Sequence, residues 1–489
     1  MDLEQRRGVD DAVPVAKSPS KWAVFAVVAM GVFMATLDSS IVNISLPSIA
    51  SAFGRPLSGL LQWVVIAYLL VIVALLLTGG RLGDTLGRKP TWQLGLGTFT
   101  LGSALCGLAP SLGYLIVFRA LQGVGAALLM ALSAALLTSA FPSAERGRAL
   151  GLNALTVAIG VSAGPPLGGL ITERLSWRWI FFINVPIGIA GVVLTGLILP
   201  RSPARPSAPF DVGGAVLLAL ALAGFTGAVS FAHDLGYGSP PILAGLLLSA
   251  ACLRWLWVHE RRHPAPIIDP ALFKNPTFAS ALFSLVLSFL ALFGVAFLTP
   301  FYLEQVRGLS TEQSGLLMLA YPLMIALFAP FAGALSDRVG SRTLAPLGLA
   351  VSTLALILLG SVGEHTPLGW VAVFLALGGV AQALFQPANS STLFGAAPAH
   401  RQGLAGGLLA TGRVLGQSLS VALTGAVFAA FGGADAQRAL LSAGPASSDP
   451  ALAQRLTQTF VTSYGAAMWA SAGCALLGVF VALRRSRTP

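Results

Sequence analysis

Three charged side chains lie inside runs of the sequence that are otherwise apolar. Asp38 is the only charged residue among the thirty-three residues between Lys21 and Arg55. Arg119 and Arg413 interrupt two further apolar runs in the same way. A charge in hydrocarbon is costly, so each of these groups must face a cavity or pair with an opposite charge, and a carboxyl can also take up a proton. These positions are the first candidates for binding a proton, a cation or a solute.

The residues around Asp38 place a small and polar face on one side of a helix. At 3.6 residues per turn, Gly31, Ala35 and Ser45 share the stripe of Asp38, and Asn43 lies on an adjoining one. Such a face suits a wet cavity better than lipid. Two interpretations of Asp38 follow: a site that binds a proton or a cation, or a structural hydrogen bond or ion pair.

Arg119 needs an acceptor, because a guanidinium cannot neutralise itself by losing its proton. Gln122, three residues further along, lies on the same helix face. Arg119 either lowers the proton affinity of a nearby carboxyl through its field, or it is a structural clamp that holds helix ends.

Arg413 lies in the segment GRVLGQS, with Gln417 one turn later. About a dozen residues separate it from the nearer end of its apolar run, so burial in the bundle is favoured over snorkelling. The preceding apolar run carries a second polar stripe at i, i+4 and i+7, formed by Gln382, Gln386 and Asn389. Either these groups bind a solute, or they only satisfy one another between helices.

Three further residues complete the set of candidates. Glu304 follows Pro300 near the end of another apolar run and is the best candidate for a second protonatable group. Trp63 and Tyr68 offer aromatic surface to a lipophilic cation, unless their rings only pack against other helices.

The chain carries no phosphate loop, catalytic triad or metal-ligand cluster. The three cysteines fall in separate apolar runs, so neither a disulfide framework nor a zinc site is indicated. The net charge of +11 comes without any motif for RNA or DNA binding. The sequence therefore predicts a protein that is not an enzyme, uses no cofactor or metal and binds no nucleic acid.

The elements that position these residues follow from the composition. Hydrophobic residues make up 55% of the chain and charged residues only 10%, against roughly 25% charged in soluble domains. The sequence therefore predicts an all-α integral membrane protein, because its apolar runs are long and continuous rather than alternating. Fourteen such runs are long enough to span a bilayer, at about 22–48, 58–80, 91–110, 113–138, 149–172, 178–199, 211–232, 240–258, 277–301, 313–335, 343–362, 368–393, 403–430 and 461–483.

Basic residues between the spans set the orientation. With both termini in the cytoplasm, twenty-one lysines and arginines lie on the inner side and six on the outer side. This asymmetry also supports an even number of spans. The first apolar run is too long for the core of a signal peptide, so we expect it to be retained as an anchor.

A repeated loop sequence divides the chain. GRLGDTLGRK (80–89) and GALSDRVGSR (333–342) share the pattern G-x-L-x-D-x-x-G-x-(K/R). If each copy joins the second and third helices of a six-helix half, two spans are left over as an insert. The predicted layout is an N-terminal tail 1–21, a first half 22–199, a linker with two inserted helices 200–276, a second half 277–483 with an outer loop 431–460, and a C-terminal tail 484–489.

The repeated loops are interpreted as latches that lock the cytoplasmic face in one conformation. The glycine that begins each copy allows close helix approach, and the glycine after the aspartate, Gly87 or Gly340, permits a tight turn. The aspartate can bind a helix N-terminus or an arginine. Ser341 stands where the first copy has an arginine, which predicts a weaker second latch. The latch residues are Gly80, Asp84, Gly87 and Arg88 in the first copy, and Gly333, Asp337 and Gly340 in the second.

Five motifs in order resemble the major facilitator superfamily and, within it, the fourteen-span drug:proton antiporter family. They are LDSSIVNISLP, GRLGDTLGRKP, RALQGVGAALL, GVSAGPPLGG and WRWIFFINVPIG. The resemblance implies the major facilitator fold, with a role for Asp38 in substrate recognition and proton coupling and for Arg119 in proton transfer. It also implies that Gly160, Gly164, Pro165 and Gly168 form the antiporter signature, although glycines at this spacing are by themselves a helix-packing motif.

The resemblance implies a proton-coupled antiporter that exports drugs or other lipophilic or cationic small molecules by alternating access. It would be a multi-pass protein of the inner membrane whose partners are protons, a small-molecule substrate and the bilayer, with a periplasmic adaptor left open. One alternative is an exporter of an endogenous metabolite, siderophore or lipid. Another is a receptor or scaffold that transports nothing.

Overall fold

The structure is a computed structural model that describes residues 20–55, 59–142, 145–200, 211–236, 238–262, 272–398, 402–443 and 450–484. In these ranges all regular secondary structure is helical, with a short 3₁₀ helix at Leu272–Lys274 and a π-helical turn at Tyr302–Val306. The α-helices are α1 Lys21–Ala52, α2 Gly59–Leu86, α3 Arg88–Gly107, α4 Leu112–Ala140, α5 Arg146–Arg174, α6 Trp179–Phe182, α7 Asn184–Ile198, α8 Val212–Leu235, α9 Pro240–Arg262, α10 Pro276–Phe301, α11 Thr311–Met318, α12 Ala320–Val339, α13 Ser341–Gly360, α14 Leu368–Ala396, α15 Gln402–Ala430, α16 Gly433–Ala443 and α17 Pro450–Leu483.

Twelve helical stretches in the described part of the chain are long and apolar enough to cross a membrane. Two of them combine shorter helices: α6 with α7, and α11 with the start of α12. The predicted all-helical membrane protein is therefore confirmed. Helices α2 and α3 are not among the twelve. Yet they contain 28 and 20 residues, which at 1.5 Å per residue is about 30 Å or more.

The helices form two bundles with a helical hairpin beside them. Helices α1–α7 pack together as the first bundle and α10–α17 as the second bundle, while α8 and α9 pack against each other. The hairpin is tight because Gly224 lies against the backbone of Gly245. Asp211 caps the start of α8 by accepting from the Gly214 N–H, and it also bonds Nε2 of His259 in α9.

The bundles meet at one end of the molecule. We call this end the Arg174 side, since it holds the last residue of α5, and the opposite end the Lys21 side. Arg174 Nη2 lies 3.3 Å from the carboxylate of Glu312 in α11, and the Glu312 N–H donates to Glu173 across the same boundary. Helix α2 also contacts α15, where Gly425 packs against Gln62.

Local sequence signals explain several helix boundaries. Asn275 caps α10 by accepting from the Thr277 and Phe278 N–H groups, with Pro276 at the first helical position. Ser310 and Gln313 form a capping box at the start of α11. The segment 431–460, predicted as an outer loop, instead contains helix α16 and the first residues of α17.

Candidate functional site

Asp38 and Arg119 form an ion pair in the interior of the first bundle. Arg119 Nη1, on α4, lies 2.5 Å from Asp38 Oδ2, on α1, and the side chains of Arg119 and Asp38 are 1% and 0% exposed. Each charge therefore has the partner that its burial demands. The pairing is the structural alternative considered for Asp38, whose side chain is buried in this conformation.

The carboxylate of Asp38 is surrounded by hydrogen-bond donors. Gln122 Nε2 donates to Oδ1 over 2.7 Å, and Asn184 Nδ2 donates to the same oxygen over 3.1 Å. Both amides are fully buried, as is Ser103, which lies 2.7 Å from Gln122 Nε2. With Arg119, the carboxylate thus accepts hydrogen bonds from three side chains, on α4 and α7.

Arg119 is held by three further contacts. Its Nε donates to the carbonyl of Val64 in α2 over 3.0 Å, and its Nη1 donates to Gln122 Oε1 over 2.6 Å. The face of the Tyr68 ring lies 4.0 Å from the guanidinium carbon, a geometry that stabilises a cation. Gln122 therefore bridges both members of the ion pair, as expected from its place on the face of Arg119.

Tyr68 packs inside the first bundle in this conformation. Its side chain is buried, and its hydroxyl donates to the Ala35 carbonyl over 3.0 Å. Trp63 stacks on Phe231 of the α8–α9 hairpin. Both aromatic residues are at helix contacts because large rings fill the space between helices as readily as they line a cavity.

Asn184 is the member of this site that the sequence did not single out. It begins α7, after the break between α6 and α7 at Ile183. The available signal was a lone amide in the apolar motif WRWIFFINVPIG, at the start of a helix whose next residues are apolar. A polar side chain in such a place needs a partner inside the bundle, and that partner is Asp38.

Of the other two polar candidates on α1, Ser45 joins this helix to α5, whereas Asn43 bonds within α1. Ser45 lies 2.8 Å from the hydroxyl of Thr172 and is fully buried. Asn43 is buried as well; its Nδ2 donates weakly to Ser39, while its Oδ1 has no partner among the described residues. Ser45 is thus a helix contact in this conformation rather than a cavity wall.

The amide stripe on α14 faces α10. Ser288 donates to Gln382 over 3.0 Å, and Asn389 both accepts from Ser284 and donates to the Ala281 carbonyl. These two amides therefore satisfy groups on a neighbouring helix, which is the second of the two interpretations. Gln386, between them, is half-buried.

Arg413 differs from Arg119 in having no acceptor in the part of the chain that the structure describes. It is half-buried within the candidate span Ala405–Ala430. Gln417, also half-buried, lies on the same face of α15. Gly406 shares this face at 100° per residue, and a Cβ atom there would lie 3.6 Å from the ring of Phe394 in α14. The start of this face therefore lies beside α14, while Gly412 and Gly416, on either side of Arg413 along the helix, pack against α10.

The glycines of α5 pack inside the first bundle. A Cβ atom at Gly160, Gly164 or Gly168 would lie 2.2–2.4 Å from side-chain atoms of α1, so the three residues bring α5 close to α1. The contact with the second bundle comes from Pro165 and the neighbouring Gly169, which lie against Gly315 and Thr311. The motif thus serves two contacts at once.

The turns of the two repeated loops have matching backbones. Gly87 has φ of 93° and Gly340 of 87°, a conformation that residues with a Cβ atom rarely adopt. Gly80 and Gly333 depart from expectation, because a Cβ atom at either would meet nothing within 4 Å. Arg88 Nη1 donates to the Ala135 carbonyl in α4. The side chains of Asp84 and Asp337 lie outside the described part.

Glu304 lies in the π-helical turn after α10 and lines a cavity of about 590 Å³ on the Arg174 side. Both bundles contribute to its wall, through Ser48 and Glu173 from the first and Gln305 from the second. Glu304 Oε1 and Gln305 Oε1 are buried atoms with no hydrogen-bond partner among the described residues. The carboxyl is thus placed between the bundles, away from Asp38.

Known proteins share this sequence and fold. The sequence profile of the Major Facilitator Superfamily matches residues 28–320 and 308–489. The riboflavin transporter RibZ of Clostridioides difficile is 36% identical over 412 residues, which are 84% of this chain and 88% of that protein. The multidrug resistance protein Stp of Mycobacterium tuberculosis is 35% identical over 82% of this chain and 75% of its own length. The tetracenomycin C resistance and export protein of Streptomyces glaucescens is 31% identical over 86% and 79%.

Solved structures agree on the fold. A bacterial homolog of the human lysosomal transporter Spinster, in an inward-facing and unoccupied conformation, superposes with a TM-score of 0.68 at 17% identity, covering 96% of this chain and 99% of that one. A D-xylose-proton symporter superposes with a TM-score of 0.66 at 15% identity, covering 95% of this chain and 97% of that one. The fold and the sequence matches define a multi-pass membrane transporter. The chain belongs to the Major Facilitator Superfamily.

Proposed function

We propose that the protein is a proton-coupled antiporter that exports drugs or other lipophilic or cationic small molecules by alternating access. The observation that carries the proposal is the buried pair of Asp38 and Arg119, since a transporter that bound no ion would have little reason to retain such a costly pair. The names of the multidrug resistance and tetracenomycin export relatives support the direction and the substrate class.

The proton and the solute would use Asp38 in turn. Protonation would neutralise the carboxyl, weaken its attraction to Arg119 and loosen the contact between α1 and α4. Deprotonation on the other side of the membrane would restore the pair. One charge moved through 100 mV is worth about 2.3 kcal/mol, so a single proton can support a useful solute gradient.

The proposal includes the topology inferred from the sequence. Fourteen spans, with α2 and α3 added to the twelve candidates, an inner-membrane location and both termini in the cytoplasm accord with the distribution of basic residues. The Arg174 side would then be the outer side. The two bundles meet on that side, through Gly169 and Thr311 and through Gly315 and Pro165.

The test is drug-dependent proton exchange in everted membrane vesicles. We expect Asp38→Asn to abolish proton-driven uptake of a drug, because the amide cannot take up a proton. Asp435→Asn is the matched control, since this carboxylate is exposed on α16 and bonded only to Arg438 in the described structure. Normal exchange by the Asp38→Asn vesicles would refute the proposal.

Glu304 is proposed as a second protonatable group. If it carries a proton in the cycle, Glu304→Gln lowers the number of protons exchanged per solute, measured as the drug gradient reached at a fixed proton gradient. An unchanged gradient would assign coupling to Asp38 alone.

A second candidate function is export of an endogenous metabolite, favoured by the similarity to a riboflavin transporter. Growth inhibition by a panel of lipophilic compounds, with and without expression of the chain, separates it from drug efflux. Release of riboflavin into the medium is measured in parallel. Solute counterflow in proteoliposomes excludes the remaining alternative, a receptor or scaffold that transports nothing.

A further inference from the structure

A protonated Asp38 would lack an acceptor in the arrangement that surrounds the ionised form. Its oxygens face N–H groups of Arg119, Gln122 and Asn184. A carboxylic acid carries an O–H that must donate, and an unmet buried donor is costly. A site that binds and releases a proton therefore needs one neighbour that can change from donor to acceptor.

Gln122 is poorly suited to that change. Its Oε1 already accepts from Arg119 and, over 3.8 Å, from the Cys106 thiol. Its Nε2 lies 2.7 Å from Ser103 as well as from Asp38. Turning this amide around would disrupt all of these contacts. Arg119 has no acceptor atom at all.

Asn184 is suited to change from donor to acceptor. Among the described residues, its Nδ2 makes a single hydrogen bond, to Asp38 Oδ1. Its Oδ1 is buried and has no partner among the described residues. A half-turn about the terminal side-chain bond exchanges the positions of Nδ2 and Oδ1. The neighbouring side chains need not move, because nitrogen and oxygen occupy nearly the same space. The turned amide presents an acceptor to Asp38 at the cost of one hydrogen bond, which the new one replaces.

We propose that Asn184 is a positioning residue that serves both protonation states of Asp38, by donating to the carboxylate and accepting from the carboxylic acid. The inference rests on the proposed function. The proton comes from the aqueous phase and becomes bonded to Asp38, and no other covalent bond changes.

The other titratable groups around Asp38 keep their protons in this scheme. Tyr68 on α2 donates to the Ala35 carbonyl, and Cys106 on α3 donates to Gln122. Arg119 on α4 stays charged. In this scheme the incoming proton binds Asp38, and the amide of Asn184 responds to it.

Infrared difference spectroscopy on acidification of the purified full chain tests the inference. Protonated Asp38 gives a carboxyl C=O band that Asp38→Asn removes. Its O–H donates to Asn184 in our scheme, which keeps this band below the frequency of a free carboxyl. In Asn184→Leu, a substitution of similar size, we expect the band to move to higher frequency.

The titration midpoint of the same band separates two roles for Asn184. Loss of a residue that only donates to the carboxylate raises the midpoint by about one pH unit or more. Loss of a residue that stabilises both the carboxylate and the carboxylic acid removes two opposing effects on the midpoint. In that case we expect the midpoint to shift by less than about half a pH unit. Asn389→Leu is the matched control, a buried asparagine in the second bundle whose loss should leave the band unchanged.

The outcomes separate the inference from the proposed function. If the unmodified chain shows no band that depends on Asp38, the proposed function fails. If the band appears but does not move in Asn184→Leu, or if the midpoint rises by a unit or more, only the inference is overturned. If Asn184→Leu does not fold, two other measurements test the inference. A free-carboxyl frequency in the unmodified chain would overturn it. Asn184→Thr, whose hydroxyl can donate or accept, is expected to keep the lowered frequency.

Discussion

Gly315 of α11 lies directly against the backbone of Pro165 in α5. A Cβ atom at Gly315 would be 2.2 Å from the Pro165 carbonyl oxygen, and one at Gly169 would be 2.4 Å from the Thr311 carbonyl oxygen. Backbone atoms cannot move aside as a flexible side chain can. Glycines at these two positions therefore allow the backbones of the two bundles to approach closely on the Arg174 side.

Gly315→Ala should open the Arg174 side. Overpacking of this kind costs about 1–3 kcal/mol, which the transporter can relieve by separating the bundles. We expect several-fold faster labelling of a cysteine introduced at Ser48, in the cavity between the bundles, by a membrane-impermeant maleimide. Gly97→Ala is the control, because a Cβ atom there would meet nothing within 4 Å. Equal labelling rates in the two variants would contradict the prediction.

Much of the helical architecture can be predicted from the sequence, because lipid requires long apolar runs whose backbone bonds are satisfied internally. The pairing of α1 with α4 could not be predicted from the sequence. The charges of Asp38 and Arg119 indicate that each needs a partner, but 81 residues separate them. Only the packing of the bundle makes them neighbours. The helix at 433–443 was missed because its polar residues resemble those of a loop.

Several polar residues that the sequence offers as cavity walls make contacts between helices in this conformation. Tyr68, Ser45, Gln382 and Asn389 have the polarity expected of cavity walls, yet each bonds a neighbouring helix. Polarity inside a membrane protein signals a need for partners, and a helix can meet that need as well as a solute can. Sequence periodicity gives the face of a helix but not what that face meets.

Tyr68 should stabilise the ion pair mainly through its ring. In Tyr68→Phe, the hydroxyl bond to Ala35 is lost, at about 0.5–1.5 kcal/mol, while the ring beneath Arg119 is kept. Tyr68→Leu also loses the ring, which costs about another 0.5–2 kcal/mol. Unfolding of the purified protein in detergent should show this order, measured with Tyr114→Phe, an exposed tyrosine on α4, as the control. A Phe variant as unstable as the Leu variant would contradict it.

Arg119→Lys should impair coupling although it keeps the charge. A lysine cannot donate to the Val64 carbonyl, Gln122 and Asp38 with the fixed fork that Arg119 uses. We expect drug-dependent proton exchange to fall roughly tenfold or more, in line with loss of about 1.4 kcal/mol or more. Arg178→Lys near the end of α5 is the control, since this arginine only donates to the Ala109 carbonyl and packs on Trp177 in the described structure. Exchange at the level of the unmodified chain would show that charge alone is sufficient.

Arg413 should select solutes that carry an anionic acceptor. Asp38 and Arg119 neutralise each other, whereas Arg413 has no acceptor among the described residues and is half-buried within the candidate span Ala405–Ala430. A guanidinium in this position matches a carboxylate through two parallel hydrogen bonds. Among exported solutes, those with a carboxylate should therefore depend on Arg413 more than neutral or purely cationic ones.

A matched pair of dyes measures this selectivity: a rhodamine with a free benzoate group and its methyl ester. Charged hydrogen bonds contribute about 1.5–3 kcal/mol, so Arg413→Gln should lower export of the benzoate dye by about tenfold or more relative to the ester. Export of the benzoate dye by Arg413→Lys should lie between that of the unmodified chain and that of Arg413→Gln, because lysine keeps the charge but not the planar fork of donors. Arg438→Gln, exposed on α16, is the control. An equal loss for both dyes would show that Arg413 supports the structure rather than the solute.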